Sequence, residues 1–180
     1  MASAWNVVTK RGVEALSLRS VAEALGVSHA APAHHFPDKQ ALLDAVRAAA
    51  WRRFSEVLEA AEPEGLRAIG RAYVAFAQEH SRQSQLMFRA GTAPTQEIGT
   101  QAGRAWSVVL RVVAKEIGPK RASDEKELNA MAMTVWAGVH GFSTLLTDVA
   151  LPAAIPREGR AAEALRERVL DAIVLSVSPS

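Results

Sequence analysis

Apolar residues recur every three or four positions along most of this chain, which is the spacing of amphipathic helices. In the segment 38–61, for example, Leu42, Val46, Ala50 and Phe54 fall on one side of a helix. The same spacing predicts further helices over about 64–80, 83–89, 124–146 and 160–177, and one from the break at 91–94 to about 117. Gly and Pro fall mainly between these segments, so we expect an all-α fold.

The segment 16–43 has the pattern of two short helices around a tight turn. Leu18, Val21, Ala22 and Leu25 follow the spacing of one buried face, which predicts the first helix. The second helix is short, and its side chains are small apart from three histidines. A short helix that is held at an angle by its predecessor can lie in the DNA major groove.

Residues suited to starting and ending helices lie at the boundaries of this pair. Ser17 stands at the N-cap position of the first helix, and Gly26 can adopt the left-handed conformation that ends it. Val27 is an apolar turn residue, so we expect it to pin the two helices together. Ser28 is the expected N-cap of the second helix, and Asp38 that of the long helix which follows.

This segment resembles the DNA-binding domain of TetR-type transcriptional regulators. Those proteins share a glycine near the end of helix 1, then [ST]-[LVI]-R-x-[IV]-A, G-V-S, a short recognition helix, H-F-x-x-K and an apolar pair. The matching residues, at the same offsets, are Gly12, Ser17-Leu18-Arg19-Ser20-Val21-Ala22, Gly26-Val27-Ser28, His35-Phe36, Lys39 and Leu42-Leu43. The match spans roughly residues 5–46, about a quarter of the chain.

The resemblance implies about nine helices, three small and then six larger. A helix-turn-helix domain is expected at 1–45, and a helical domain for effector binding and dimerisation at 46–180. It also implies a homodimer on a near-palindromic double-stranded DNA operator, with the last two helices of each subunit in a four-helix interface. Apolar residues at helical spacing on those helices are the expected interface residues: Leu145, Leu165, Val169 and Ile173.

The candidate DNA contacts lie around the recognition helix. Lysines of the family at the position of Lys39 contact a phosphate, and the N-terminus of the long helix adds favourable backbone N–H groups. Arg19 either contacts phosphate at the groove edge or forms a surface salt bridge. The full set of expected DNA-binding residues is Ser17, Arg19, Ser28, His29, Ala30, Ala33, His34, His35 and Lys39.

Three features depart from the family pattern. Ala33 stands where the family usually has a tyrosine that touches phosphate, and Pro32 lies inside the recognition helix, where it removes a hydrogen bond. Helix 1 begins almost at Met1, which makes it a turn or two shorter than usual. A dimer that binds ligand and has lost DNA affinity is therefore an alternative to a DNA-binding regulator.

The histidines of the recognition segment raise the alternative of a metal site. His34 and Asp38 are four residues apart, but Pro37 is expected to break the helix between them. The neighbours His34 and His35 point in different directions on a helix. We therefore expect neither a metal nor a cofactor here.

A second motif, Val135-Trp136-Ala137-Gly138-Val139-His140-Gly141-Phe142, resembles the C-terminal ligand-binding domain type that is named for its Trp-His-Gly residues. Trp136 and His140 share a helix face because they are four residues apart. Gly138 and Gly141 each lower helix propensity by about 1 kcal/mol, which indicates that a ligand or a neighbouring helix approaches closely. Two interpretations stay open: a core Trp with a hydrogen-bonded core His, or the lining of a ligand pocket.

Aromatic residues and methionines at helical spacing supply the rest of a candidate effector pocket, which would be mostly apolar with few polar anchors. The same spacing is also typical of ordinary core residues. The expected ligand-binding residues are Tyr73, Phe76, Phe88, Trp106, Met133, Trp136 and His140. So few charges favour a flat, apolar or aromatic effector.

Composition narrows the class of protein only a little. Hydrophobic residues make up 49% of the 180, charged residues 22%, and the net charge is +2, as is common for globular proteins. Cysteine is absent, and neither a signal peptide nor an apolar run of about 20 residues is present. We see no paired carboxylates, phosphate-binding glycine loop or nucleophile elbow, which argues against an enzyme. This composition is compatible with what the resemblance implies, a cytoplasmic repressor that a small effector releases from its operator.

Overall fold

The computed structural model describes residues 2–28, 30–89, 93–147, 152, 155–156 and 158–178. Within these residues all regular structure is helical, so the expected all-α class is confirmed. The nine α-helices of this described part are α1 (Ala2–Arg11), α2 (Leu18–Leu25), α3 (Lys39–Ala61), α4 (Leu66–Glu79), α5 (Ser81–Met87), α6 (Gln96–Ile117), α7 (Pro119–Ala122), α8 (Glu125–Thr147) and α9 (Gly159–Leu175). Three short 3-10 helices lie at Val13–Ala15, Ala31–His34 and Glu62–Glu64.

The chain divides into two compact units. The first unit comprises Met1–Arg53 and His80–Gly103, and the second comprises Phe54–Glu79 and Arg104–Ser180. Helices α3 and α6 therefore contribute to both units, whereas α1, α2 and α5 belong to the first and α4, α7, α8 and α9 to the second.

In the first unit, α1 packs on α2 and on α5. Val8, Leu16, Ala22 and Leu42 are fully buried and form its core. Burial of such side chains is the main favourable term in folding, worth about 1.5–3 kcal/mol for each large one. The helix-turn-helix is therefore built on an apolar core that α1 completes.

The predicted helix boundaries of this segment are confirmed at three positions. The Ser17 hydroxyl accepts a hydrogen bond from the Ser20 backbone N–H at 3.0 Å, and the Ser20 hydroxyl accepts one from the Ser17 N–H at 2.9 Å. Gly26 ends α2 in the left-handed region, at φ 65° and ψ 32°. Asp38 accepts a hydrogen bond from the Ala41 N–H at 2.8 Å and so caps α3.

The recognition segment differs from the expected Ser28-capped helix. It is a single 3-10 turn, Ala31–His34, whose N-cap position is Ala30, without a side-chain cap. Its bonds join residues three apart, such as Ala31 N–H to Ser28 C=O at 3.0 Å. The physical reason is Pro32, which has no N–H with which to donate to the carbonyl four residues earlier.

Two apolar residues of this segment were expected to be buried and are not. Leu25 is 54% exposed and Val27 is 45% exposed. Both lie on an open groove of about 460 Å³ whose other walls include Ala4, Val21 and Phe36. The prediction that Val27 pins the two helices together is therefore wrong, because Val27 lies on the wall of this open groove and is not buried between the helices.

In the second unit, α4 packs on both α8 and α9. A Cβ built on Gly70 of α4 would lie 2.7 Å from Cδ2 of Leu170, so the Leu170 side chain of α9 packs directly against the backbone of α4 at this glycine. Arg67 and Arg71 of α4 add ion pairs to Glu167, at 2.9 and 2.6 Å, and Arg67 also reaches Asp171. Helix α4 is thus joined to α9 by close packing and by charge.

Candidate functional site

The residues expected to contact DNA lie on consecutive elements of the first unit. Ser17 is half-buried, and its hydroxyl takes part in the N-cap of α2. The other described members of the set are exposed: Arg19, Ser28, Ala30, Ala33, His34, His35 and Lys39. His29 lies outside the described residues. Sequence and structure thus agree on a polar, accessible surface that is poor in groups able to read base edges.

Arg19 and Lys39 are the two cations of this surface set. Arg19 donates from Nε to Oε1 of Glu23 at 3.0 Å, yet its side chain is 76% exposed. An exposed pair of this kind contributes little stability, so Arg19 can turn to a phosphate at small cost. Lys39 is the first residue of α3, where the helix dipole favours an anion. Asp38, however, already accepts from the Ala41 N–H, so that donor is not available to a phosphate.

The second unit brings together five of the seven residues expected to bind ligand. Their rings meet mainly edge to face around Phe54, with centroids 4.8 Å apart for Phe54 and Tyr73, and 5.9 Å for Trp106 and Trp136. Tyr73 and Trp136 are 5.5 Å apart. We call this the aromatic cluster, and it consists of Phe54, Tyr73, Phe76, Trp106, Trp136 and His140.

The polar centre of the aromatic cluster is a hydrogen bond between two helices. The Tyr73 Oη on α4 and the His140 Nδ1 on α8 are 2.8 Å apart. Burial raises the pKa of the Tyr73 phenol and lowers the pKa of His140. Both shifts favour the neutral groups, and the tautomer of His140 decides which of the two side chains donates this hydrogen bond.

Two predicted pocket residues lie elsewhere. Phe88 belongs to the first unit, where its ring meets Trp51 at 5.2 Å. Met133 is on α8 but its side chain is exposed. Helical spacing alone does not show which face of α8 turns inward, and the buried Ala132 and Val135 show that Met133 lies on the outer one.

The two glycines of the Trp-His-Gly motif have different surroundings. A Cβ built on Gly138 would lie 3.2 Å from the Ile173 side chain, so a neighbouring helix explains this glycine. A Cβ on Gly141 would meet nothing within 4 Å. Gly138 therefore allows α8 to pack closely on α9. Part of the Ile173 side chain, which was expected at the dimer interface, is covered by this contact within the same chain.

The outer faces of α8 and α9 carry exposed apolar and small residues at helical spacing. Leu145 is exposed, as expected of an interface residue, whereas Leu165 and Val169 are half-buried. Leu175, which was not among the expected interface residues, is 73% exposed. Its signal was present: it lies eleven residues after Ala164 and so nearly on the same helix face as that exposed alanine. The surface that we call the α8–α9 face includes the exposed Ala130, Met133, Ala137 and Leu145 on α8, and Ala161, Ala164, Ala172 and Leu175 on α9. The polar Thr134 and Thr144 and the charged Arg168 are also exposed on these helix faces.

Two further classes of site find no support in the described part of the chain. No group of three His, Asp or Glu side chains there is arranged to hold a metal ion. None of the helices in that part has the length and apolar character needed to cross a membrane.

The chain is similar to known proteins over nearly all its length. Residues 1–46 match the family model of bacterial regulatory proteins of the tetR family, and residues 66–173 match that of the tetracyclin repressor-like C-terminal domain. No curated protein matches the sequence.

Several solved structures have the same fold. One, a protein of unknown function from Rhodococcus sp. RHA1, is 28% identical, with 99% of this chain and 93% of that chain covered and a TM-score of 0.79. The TetR family transcriptional regulator PfmR from Thermus thermophilus is 20% identical, with coverages of 96% and 95% and a TM-score of 0.66. A regulatory protein of the tetR family from Rhodococcus RHA1 is 17% identical, with coverages of 99% and 95% and a TM-score of 0.67.

Proposed function

Since this chain belongs to the TetR family of DNA-binding transcriptional regulators, we propose that it is a homodimeric repressor that a small aromatic effector releases from its operator. The observation that carries the proposal is the presence, in one chain, of a match to the bacterial regulatory proteins of the tetR family at residues 1–46 and of a match to the tetracyclin repressor-like C-terminal domain at residues 66–173. Binding to chromosomal DNA would place the protein in the cytoplasm.

DNA binding is assigned to the exposed surface around the 3-10 turn. Arg19 and Lys39 contact phosphates, and such contacts position a protein without reading sequence. His35 contacts a phosphate, whereas His34 and the exposed alanines Ala30 and Ala33 approach the bases, where alanine contacts thymine methyl groups. The turn itself contains no Arg, Asn or Gln that could bind base edges. We therefore expect much of the sequence preference to come from DNA shape.

The effector site is assigned to the aromatic cluster. Trp136 and Trp106 are half-buried there, and His140 offers a directional polar group. A mostly apolar site with few polar anchors is the usual form of a small-molecule pocket. Burial holds Tyr73 and His140 neutral, so a neutral aromatic compound suits the site better than a charged one.

The aromatic cluster can couple effector binding to DNA binding through α4. Tyr73 joins α4 to α8 by its hydrogen bond, and Arg67, Gly70 and Arg71 join α4 to α9. An effector that inserts at Tyr73 would replace this hydrogen bond and loosen the packing of α4 on α8, while the ion pairs to α9 persist. Helix α4 would then pivot on α9, which is a coupling between two sites through a rigid-body shift.

Dimerisation is assigned to the α8–α9 face. Leu145 and Leu175 are large apolar side chains that are exposed in the single chain, and the alanines between them allow close approach of a second copy. A dimer formed through this face would cover its exposed apolar side chains, which supports the assignment. A two-fold axis through it would pair the two DNA-binding surfaces.

Fluorescence anisotropy with the promoter DNA beside the protein's own gene tests this function. We expect a dissociation constant in the range of about 10⁻⁸ to 10⁻¹¹ M at physiological salt, and at least about 10³-fold weaker binding of a shuffled duplex. Equal, weak binding of both duplexes by a folded dimer would instead indicate a ligand-binding protein without a DNA target.

A further inference from the structure

Gln83 of α5 is a polar side chain in the core of the first unit. It is 1% exposed, and its neighbours along the helix, Leu86 and Met87, are buried apolar residues. Burying an amide is costly unless its hydrogen bonds are made. Its partners therefore decide what the residue does.

The amide of Gln83 binds the middle of α1. Its Nε2 donates to the Thr9 Oγ1 in a short hydrogen bond and lies 3.4 Å from the Trp5 carbonyl oxygen. The Thr9 hydroxyl in turn donates to the same Trp5 carbonyl at 3.0 Å. The preceding residue of α5, Arg82, donates to the Thr9 carbonyl oxygen at 2.9 Å. Two successive residues of α5 thus fix one turn of α1 by directional bonds.

Trp5 receives two more contacts at this point. The Arg53 guanidinium lies 4.2 Å from the centre of a Trp5 ring, and the His80 ring meets Trp5 edge to face at 5.3 Å. His80 is the single residue between the last residue of α4, Glu79, and the first of α5. The residue that precedes α5 in the chain therefore contacts the same turn of α1 as Gln83 does.

Apolar packing alone would also hold α5 against α1, but it is non-directional and tolerates sliding. Hydrogen bonds from a buried amide to one hydroxyl and one carbonyl allow a single register between the two helices. Gln83 is thus suited to fixing the orientation of α1, and with it α2, which packs on α1.

We infer that Gln83 is a positioning residue for DNA recognition: its hydrogen bonds to α1 set the orientation of the DNA-binding helices and so the half-site spacing that the dimer accepts. The inference rests on the proposed function. One added base pair moves a half-site by about 3.4 Å and turns it by about 35°, so a rigidly held dimer discriminates against it.

The test uses the full-length dimer and an operator selected by the wild-type protein from random duplexes. Anisotropy titrations compare this operator with versions whose half-sites are one base pair closer or farther apart. For the wild type we expect at least about tenfold weaker binding at the altered spacings. For Gln83→Leu we expect binding at the altered spacings to be weaker than at the selected spacing by about threefold or less. Its binding to non-specific DNA should be unchanged, because that binding depends on charge.

Two further variants separate positioning from stability. Gln85→Leu makes the same change at an exposed position of α5, and it should keep the wild-type discrimination. Thr9→Val removes the partner hydroxyl and should reproduce the Gln83→Leu result, with no additional loss in the double variant. A thermal midpoint is recorded for each protein.

Discrimination retained by folded Gln83→Leu and Thr9→Val proteins would overturn the inference while leaving the proposed function intact. Failure of both variants to fold would also overturn it, because Gln83 would then be needed for the core itself. If the wild-type protein selects no DNA at all, the proposed function fails, and this inference fails with it.

Discussion

The Tyr73 hydroxyl and the His140 imidazole meet at 2.8 Å between α4 and α8, within a cluster of aromatic rings. This bond links the Trp-His-Gly motif on α8 to a residue 67 positions earlier in the chain. Its position in the second unit makes it the natural contact through which a bound effector would move α4.

Protonation of His140 should destabilise the protein at mildly acidic pH. Burial lowers its pKa below the ordinary value of about 6.5. Above that pH the residue is neutral in both folded and unfolded chains; as the pH falls, the unfolded chain takes up the proton first, and stability is lost. We expect the thermal midpoint of the wild type to drop more between about pH 7.5 and 5.5 than that of His140→Gln. Equal drops in the two proteins would show that protonation of His140 does not contribute to the loss of stability.

Lys39→Ala should weaken binding to specific and non-specific duplexes by a similar factor, because phosphate contacts carry no base information. The slope of log K against log salt concentration should become smaller by about one per subunit. Lys120→Ala changes an exposed lysine of α7 in the second unit, and it should leave both quantities unchanged. If Lys39→Ala changed which base the protein prefers in the operator, the assignment of Lys39 to a phosphate contact would be contradicted.

Leu175→Asp should give soluble monomers, because Leu175 is exposed in the single chain and the new charge would be buried only in a dimer. Val169→Asp should act in the same direction, with lower solubility since Val169 is half-buried. Light scattering gives the mass of each variant. Val57→Asp, at an exposed position of α3, is the control and should remain dimeric. An unchanged dimer for Leu175→Asp would rule out the α8–α9 face.

Gly70→Ala should stabilise the protein less than Gly99→Ala, because the displacement of Leu170, an overpacking cost of about 1–3 kcal/mol, offsets the gain of about 1 kcal/mol in helix propensity. The new methyl group would lie 2.7 Å from Leu170, which is itself buried. At Gly99 of α6 a Cβ meets nothing within 4 Å, so Gly99→Ala should raise stability by about 0.5–1 kcal/mol through helix propensity. Urea denaturation should therefore give a higher midpoint for Gly99→Ala than for Gly70→Ala, and a midpoint of Gly70→Ala at or above that of Gly99→Ala would contradict the close packing.

The sequence predicts local features of this protein well and the inward or outward direction of its side chains less well. The caps at Ser17 and Asp38 and the turn at Gly26 depend on chemistry within four residues, so they could be predicted directly from the sequence. The 3-10 form of the recognition turn could have been inferred from Pro32. The exposure of Leu25 and Met133 could not, because it depends on which neighbours pack against α2 and α8. Gln83 gave no signal, since a buried amide and a surface amide look alike in a sequence.

The most direct test of the account measures effector response in His140→Phe, which keeps the ring bulk and removes the hydrogen bond. Neutral aromatic compounds are first screened for release of the wild-type protein from its operator, and the active compound is then titrated against both proteins. We predict that the variant responds more weakly by about 1–3 kcal/mol, the loss expected for a missing buried hydrogen bond, while its operator affinity without effector stays within about threefold. An unchanged response, or a variant that unfolds, would contradict the assignment of His140 to the effector site.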